Sequence, residues 1–163
     1  MELKKLDSSF YADNLKVEQA LDFDMKSGAW TGAKVRGHGV VQVDISGLTF
    51  AIPVRSSIKH GAALILEVNR EDRYVKGMGL DYSKALLITK PGHISNDVFV
   101  LKSKAAGKKL IGKESHVTKQ FTKYVEKYIS AVKNDDKTIL NSFEYRHTTL
   151  INYHEELGIA SQL

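Results

Sequence analysis

The densest chemistry in the chain lies between residues 55 and 60. Arg55-Ser56-Ser57-Ile58-Lys59-His60 puts two cations, two hydroxyls and an imidazole into six residues. These groups suit phosphate chemistry. Cations and hydroxyl donors stabilise the charge that grows on a phosphate in a transition state. Histidine moves protons near neutral pH. Cleavage within an RNA strand needs this set: a 2′-hydroxyl loses a proton, the phosphate gains charge, and the 5′-oxygen gains a proton. The other reading of the segment is a solvated charged turn whose serines cap a helix, and both readings stay open here.

A hairpin has to position these groups. Val41, Val43 and Ile45 alternate with Gln42 and Asp44, Ser46-Gly47 makes a two-residue turn, and Leu48, Phe50, Ile52 and Val54 alternate on the way back. Counting back from the turn sets Lys34-Val35-Arg36-Gly37-His38-Gly39 beside the far end of the returning strand. Two local clusters then become one: Arg36, His38, Arg55, Ser56, Ser57, Lys59 and His60. Glycines 37 and 39 let a backbone approach closely. Pro53 predicts an edge or the end of the strand. A third segment, Gly79 to Ile88, offers Asp81, Tyr82 and Lys84 to the same site. Tyr82 either stacks a base there or sits in the core where a turn enters a strand.

Other elements follow from pattern. A short strand spans Glu2 to Leu6, and a helical stretch capped by Asp7 or Ser8 runs to about Asp22, with Leu15, Ala20 and Leu21 toward a core. Asp24 to Gly32 reads as a polar loop. Leu64 to Val68, Ala85 to Ile88 and Val98 to Leu101 read as strands. Val117, Phe121, Tyr124, Val125, Tyr128, Ile129 and Val132 keep helical spacing, with Ser115 as a candidate cap. Ile139, Leu140 and Phe143 suit a short helix. Thr148 or Thr149 caps a last one through Leu157, with Gly158 at its end. Strands first and helices later predict an α+β fold. It is a twisted, mostly antiparallel sheet with packed helices and a helical C-terminal third, in one domain over residues 1–163.

The chain has 163 residues, enough for one real core. It has no cysteine, so a disulfide framework and thiolate chemistry are excluded. No phosphate loop, no His-Glu-x-x-His zinc motif and no Gly-x-Ser-x-Gly elbow is present. The six histidines are scattered, and His116, His147 and His154 receive no role. Neither a metal nor another cofactor is expected. No apolar run approaches the ~20 residues of a membrane helix, and the N-terminus lacks the apolar stretch of a signal peptide. A cytoplasmic protein with no membrane partner is the expectation. The net charge is +5, and residues 101–163 hold 11 basic against 7 acidic residues. The excess is densest at Lys102, Lys104, Lys108, Lys109 and Lys113, a footprint that favours polyanions.

The ordered set of segments resembles the endoribonuclease toxins of type III toxin–antitoxin systems, nearest the TenpN branch related to ToxN and AbiQ. The matching pieces are Met1 to Leu6 with Phe10-Tyr11-Ala12-Asp13-Asn14, then Lys34 to Gly39, and Phe50 to Ser57 with Lys59-His60. Lys76-Gly77 to Ile88 and Asn152 to Ile159 follow, so the resemblance covers nearly the whole chain. It implies a metal-independent ribonuclease that leaves 2′,3′-cyclic phosphate and 5′-hydroxyl ends. It also implies a fold of the MazF toxin type, and cellular or phage RNA as substrate. The expected partner is a small structured antitoxin RNA, cut from repeats by the toxin and inhibiting it in a multimeric protein–RNA assembly. The family's loop after the hairpin reads Pro-Leu-(Thr/Ser)-Ser-Pro-Lys. Ser56, Ser57 and Lys59 match it, whereas Arg55 replaces the leucine and Ile58 the second proline. Arg36 matches a basic residue on the preceding strand, and Tyr11 falls near an N-terminal tyrosine.

The expected roles follow. Ser57 binds the scissile phosphate or the 2′-oxygen, Lys59 and Arg36 stabilise charge, and Ser56 positions. His60 and His38 are the proton-transfer candidates. Arg55, Tyr11, Asp81, Tyr82, Lys84, Lys102, Lys104, Lys108, Lys109 and Lys113 are expected to bind RNA. The alternative function is a non-catalytic nucleic-acid-binding module that uses the 55–60 loop as a phosphate clamp.

Overall fold

One long strand organises the molecule and carries the site at its end. In this computed structural model, which describes residues 1–31 and 38–159, strand β5 runs from Leu48 to Ile58. Around it lie β1 (Lys4–Leu6), β4 (Val40–Ile45), β6 (Ala63–Val68), β7 (Gly77–Asp81), β8 (Leu86–Ile88) and β9 (Ile94–Val98). The sheet order is β6-β7-β5-β4-β1-β9, with β8 pairing β5 as well, and every pairing is antiparallel. β2 (Phe23–Asp24) and β3 (Ala29–Trp30) form a separate small hairpin inside the segment expected to be loop.

The predicted hairpin is present in the predicted register. Ile45 pairs with Leu48 across Ser46 and Gly47, both at positive φ, and the pairing continues to Val40 opposite Pro53. Positive φ at both turn residues matches the right-handed twist of the flanking strands. Pro53 corrects an expectation: it lies within β5, not at its end. The Val54 N–H bonds to the Gly39 carbonyl on the β4 side, so the missing N–H of Pro53 faces the other side. On that side β8 ends opposite Ala51 and β7 begins opposite Val54. The proline therefore falls in the gap between two partner strands, where no ladder bond is lost.

β7 was not foreseen. Its glycines make it possible. A Cβ on Gly79 would lie 1.9 Å from the Leu64 carbonyl oxygen, and one on Gly77 would lie 2.0 Å from that of Glu67. Only glycine lets β6 approach so closely. Opposite β7, β5 carries one extra residue between Arg55 and Ile58, which pair with Gly79 and Gly77. This bulge at Ser56-Ser57 turns both serines to solvent while Ile58 is wholly buried.

Four α-helices are present among the described residues: α1 (Ser8–Asp13), α2 (Lys104–Leu110), α3 (Glu114–Lys133) and α4 (Lys137–Leu140). The expected helix to Asp22 stops at Asp13, where Asn14 leaves helical geometry and its side-chain amide donates to the Phe10 carbonyl; further on Gln19 and Asp22 take positive φ, and Leu15 is exposed while Val17 and Ala20 are buried. α3 matches its spacing: Val117, Phe121, Tyr124, Val125 and Tyr128 are buried, and Phe121 meets Phe50 edge-on at 5.2 Å. Each such fully buried aromatic contributes about 1.5–3 kcal/mol over exposure. Lys113, not Ser115, precedes the helix as its cap residue. The strand expected at Val98–Leu101 lies earlier, at Ile94–Val98. The last expected helix is only a 3₁₀ turn, Thr149–Asn152, capped by Thr148. The C-terminal part is helical as expected, and the fold is α+β. Among the described residues no helix is long and apolar enough to cross a membrane.

Candidate functional site

The end of β5 forms one wall of a cavity of ≈ 320 Å³, lined by Gln19, Arg55, Lys59, His60, Ser83, Lys84, Phe143, Arg146 and His147. Four cations and two imidazoles thus face one small space. They come from three places: the β5 end, the 3₁₀ turn Tyr82–Lys84 after β7, and the segment after α4.

Asp81, the last residue of β7, holds the inner side together and is wholly buried. Its Oδ1 accepts from the Ser83 hydroxyl at 2.6 Å, the Ser83 N–H at 3.0 Å and His60 Nε2 at 3.1 Å. Its Oδ2 accepts from Arg55 Nη1 at 3.1 Å. Burial alone would raise this carboxyl. The hydrogen bonds from His60, Ser83 and Arg55 outweigh it and hold the group below its ordinary value. The His60 tautomer follows from its neighbours. The Ala62 N–H donates to Nδ1 at 3.0 Å, so the ring proton sits on Nε2 and points at Asp81.

This arrangement revises several expected roles. His60 stands in the cavity wall, but both ring nitrogens are engaged within the protein, so it supports Asp81 instead of carrying protons. Asp81 does not reach RNA, because it is buried and spends both oxygens on its neighbours. Tyr82 does not stack a base. It is core, in the arrangement of the other reading, and its hydroxyl donates to Gln120 Oε1 at 2.7 Å. Lys84 lines the cavity but is nearly buried. Its Nζ donates to the carbonyls of Gln19 at 2.8 Å and His147 at 2.9 Å. Burial, countered by the charge of Asp81, lowers its ammonium to about 8.

The predicted β5 cluster is divided between two cavities. Arg55 borders both. Ser56 and His38 line the second, ≈ 940 Å³, over a floor that includes Leu21, Val54, Met78, Phe99 and Leu101. There His38 Nε2 donates to Asp22 Oδ2 at 2.6 Å. The expected closeness of His38 to Arg55 and Ser56 is therefore present. Ser57 is exposed on the bulge and lines neither cavity. Arg36 lies outside the described residues. Tyr11 lines neither cavity and packs edge-on against Phe10 and Trp30. Lys102, Lys104, Lys108 and Lys109 are exposed on or beside α2, with Lys102 at the second cavity, while Lys113 is half-buried. Among the described residues no three His, Asp or Glu side chains gather as a metal ligand set.

The wall from 143 to 147 carries groups the sequence reading left aside. His147 is exposed and lines the cavity. Partial burial first, then the charges of Arg146 and Lys84, push its imidazole below the ordinary 6.5. A lone histidine in a polar stretch gives no sequence signal, and only the fold brings it to Lys59. The wall is firmly held. Tyr145 stacks on Tyr124 at 4.5 Å and donates its hydroxyl to the Tyr124 carbonyl, while Tyr124 donates to the Glu144 carbonyl. Thr149 donates to the Ala85 carbonyl, tying this wall to the turn after β7. In comparisons with known proteins, no family model, no curated protein and no solved structure matches the chain.

Proposed function

We propose that the chain is a metal-independent endoribonuclease toxin of the type III kind, with a sheet of the MazF type, acting in the cytoplasm on cellular or phage RNA. Its partner is a small structured antitoxin RNA that it cuts and that inhibits it within a multimeric assembly. The observation that carries this reading is the cavity where Arg55, Lys59, Lys84 and Arg146 meet His60 and His147. A site of that size and sign fits a phosphodiester, and a neutral imidazole beside it can take a proton.

The chemistry is then as follows. The scissile phosphate lies against Arg55 and Lys59, with Ser57 on the bulge at the approach. His147 accepts the 2′-hydroxyl proton, the 2′-oxygen bonds to phosphorus, and the bond from phosphorus to the 5′-oxygen breaks. The leaving oxygen is protonated by water. Lys59 and Arg55 oppose the charge that builds on the phosphate. His60 and Asp81 hold Arg55 in place. The exposed lysines of α2 give the RNA a second, sequence-independent contact.

The test is incubation of purified protein with a structured RNA pool in EDTA, with mapping of the product ends. Discrete cuts with 2′,3′-cyclic phosphate and 5′-hydroxyl ends are expected. Salt-dependent retention of RNA with no cleavage would move the protein to the phosphate-clamp reading.

His147 gives the pH dependence. Its imidazole acts as a base only when neutral, so cleavage falls as the pH drops through its lowered pKa. His147→Gln is expected to lower kcat by about 10²–10⁴-fold and to remove this acid limb. A pH–rate profile with the limb intact in His147→Gln would assign the base elsewhere.

A further inference from the structure

The sequence reading gives Phe143 to a short helix with Ile139 and Leu140, but α4 ends at Leu140, and Phe143 is 65% exposed and lines the cationic cavity. The Arg146 guanidinium lies over its ring, 4.5 Å from the centroid. The backbone that carries the ring is held in place. Two residues on, Tyr145 is buried and stacked on Tyr124, and the intervening Glu144 accepts the Gly61 N–H at 3.3 Å through Oε1 and the Tyr124 hydroxyl at 2.7 Å through its carbonyl. An exposed aromatic on a firmly held backbone has only two side-chain torsions to fix, so it presents a flat face at little entropic cost on binding. Beside it stand the cations that would take a phosphate.

We infer that Phe143, backed by Arg146, is the stacking platform for one nucleobase of the RNA strand whose phosphate lies among Arg55, Lys59 and His147. The inference rests on the nuclease reading and adds the base to it. Every base has a π-face, so the platform supplies register and grip with little choice of base. Stacking on a guanidinium-backed ring suits a single-stranded, unstacked nucleotide, because inside a duplex the neighbouring base pairs cover both faces of a base. The substrate at the cut is therefore a single-stranded segment.

Tyr74 provides an internal control. It is equally exposed, at 66%, and carries Arg73 over its ring at 4.8 Å, but it lines neither cavity. If exposure and a cation were enough, both aromatics would bind bases.

The test uses 2′-O-methyl hexaribonucleotides, which lack the attacking hydroxyl, with 2-aminopurine placed at each position in turn. Stacking quenches its fluorescence. Quenching at one position is expected with the wild-type protein, together with loss of the quench and about 5- to 100-fold weaker binding in Phe143→Ala. Phe143→Tyr should retain both, and Tyr74→Ala should change neither. A folded Phe143→Ala that binds and quenches like the wild type would overturn the platform while leaving the nuclease reading untouched, provided it still cuts RNA. Equal loss in Tyr74→Ala would overturn it in favour of diffuse surface stacking. A wild-type protein that neither binds these oligomers nor cuts RNA in EDTA would overturn both readings.

Discussion

Lys59→Ala is expected to lower RNA cleavage by at least about 10²-fold, the scale of one transition-state charge contact, without unfolding the protein. Lys59 is exposed at the end of β5 and faces the cavity. The contacts to Asp81 that hold the inner side come from Arg55 and His60, not from Lys59. Losing its side chain should therefore change stability by no more than about 0.5 kcal/mol, as for an ordinary surface position. The charge matters more as the phosphate becomes pentacoordinate, so the loss should fall on kcat more than on KM. Lys59→Arg should restore part of the rate, since it keeps the charge but not the point-like ammonium. The measurement is single-turnover cleavage of one mapped RNA, alongside a melting curve. A folded Lys59→Ala that cuts at the wild-type rate would remove Lys59 from the chemistry.

Asp81→Asn should have the largest effect on the fold. The carboxylate is wholly buried and takes four hydrogen bonds, three on Oδ1 and one on Oδ2. An amide can satisfy only one side. Its NH₂ would face Arg55 or the Ser83–His60 group, donor against donor. Breaking one member of such a buried charged group costs about 3–5 kcal/mol, or roughly 6–20 °C in melting temperature for a chain of this length. The pH sign is fixed. The folded carboxyl lies below its ordinary value of 3.8. Its contribution is therefore complete above that value and is lost as pH falls through the lower folded value. The gap between wild type and Asp81→Asn should be full at pH 7 and close in acid. Equal melting temperatures at pH 7 would show that the network does not support the fold.

The parts of the fold that were legible are those whose signal is local. Val41, Val43 and Ile45 alternate because one face of β4 meets the core, and Ser46-Gly47 supplies the positive φ values that close the hairpin. α3 was legible because Val117, Phe121 and Tyr128 recur on one face over many turns. β7 was hidden because Gly77 and Gly79 look like loop residues, and their use depends on a neighbouring backbone that the spacing does not reveal. The first helix was overextended because Leu15, Ala20 and Leu21 imitate an apolar face, while the turns at Gln19 and Asp22 break it.

The site divides in the same way. Arg55, Lys59 and His60 were visible as a cluster of charge beside a strand. The duty of Asp81 was not, because its partners Arg55 and His60 are distant in sequence and its sign argues against an RNA surface. Phe143 was given to a short helix with Ile139 and Leu140, but that helix ends at Leu140, and apolar spacing over so short a stretch cannot place its end. His147 carried no local signal at all.

The cavity is closed by residues that are synthesised at widely separated times. Arg55, Lys59 and His60 are synthesised almost ninety residues before Phe143, Arg146 and His147. At about 5–20 residues per second, that interval is on the order of 5–20 s. Throughout it, a nascent chain can carry a finished hairpin and no complete cavity. Under the proposed function, ribonuclease activity would therefore appear only after the 143–147 wall has joined the hairpin.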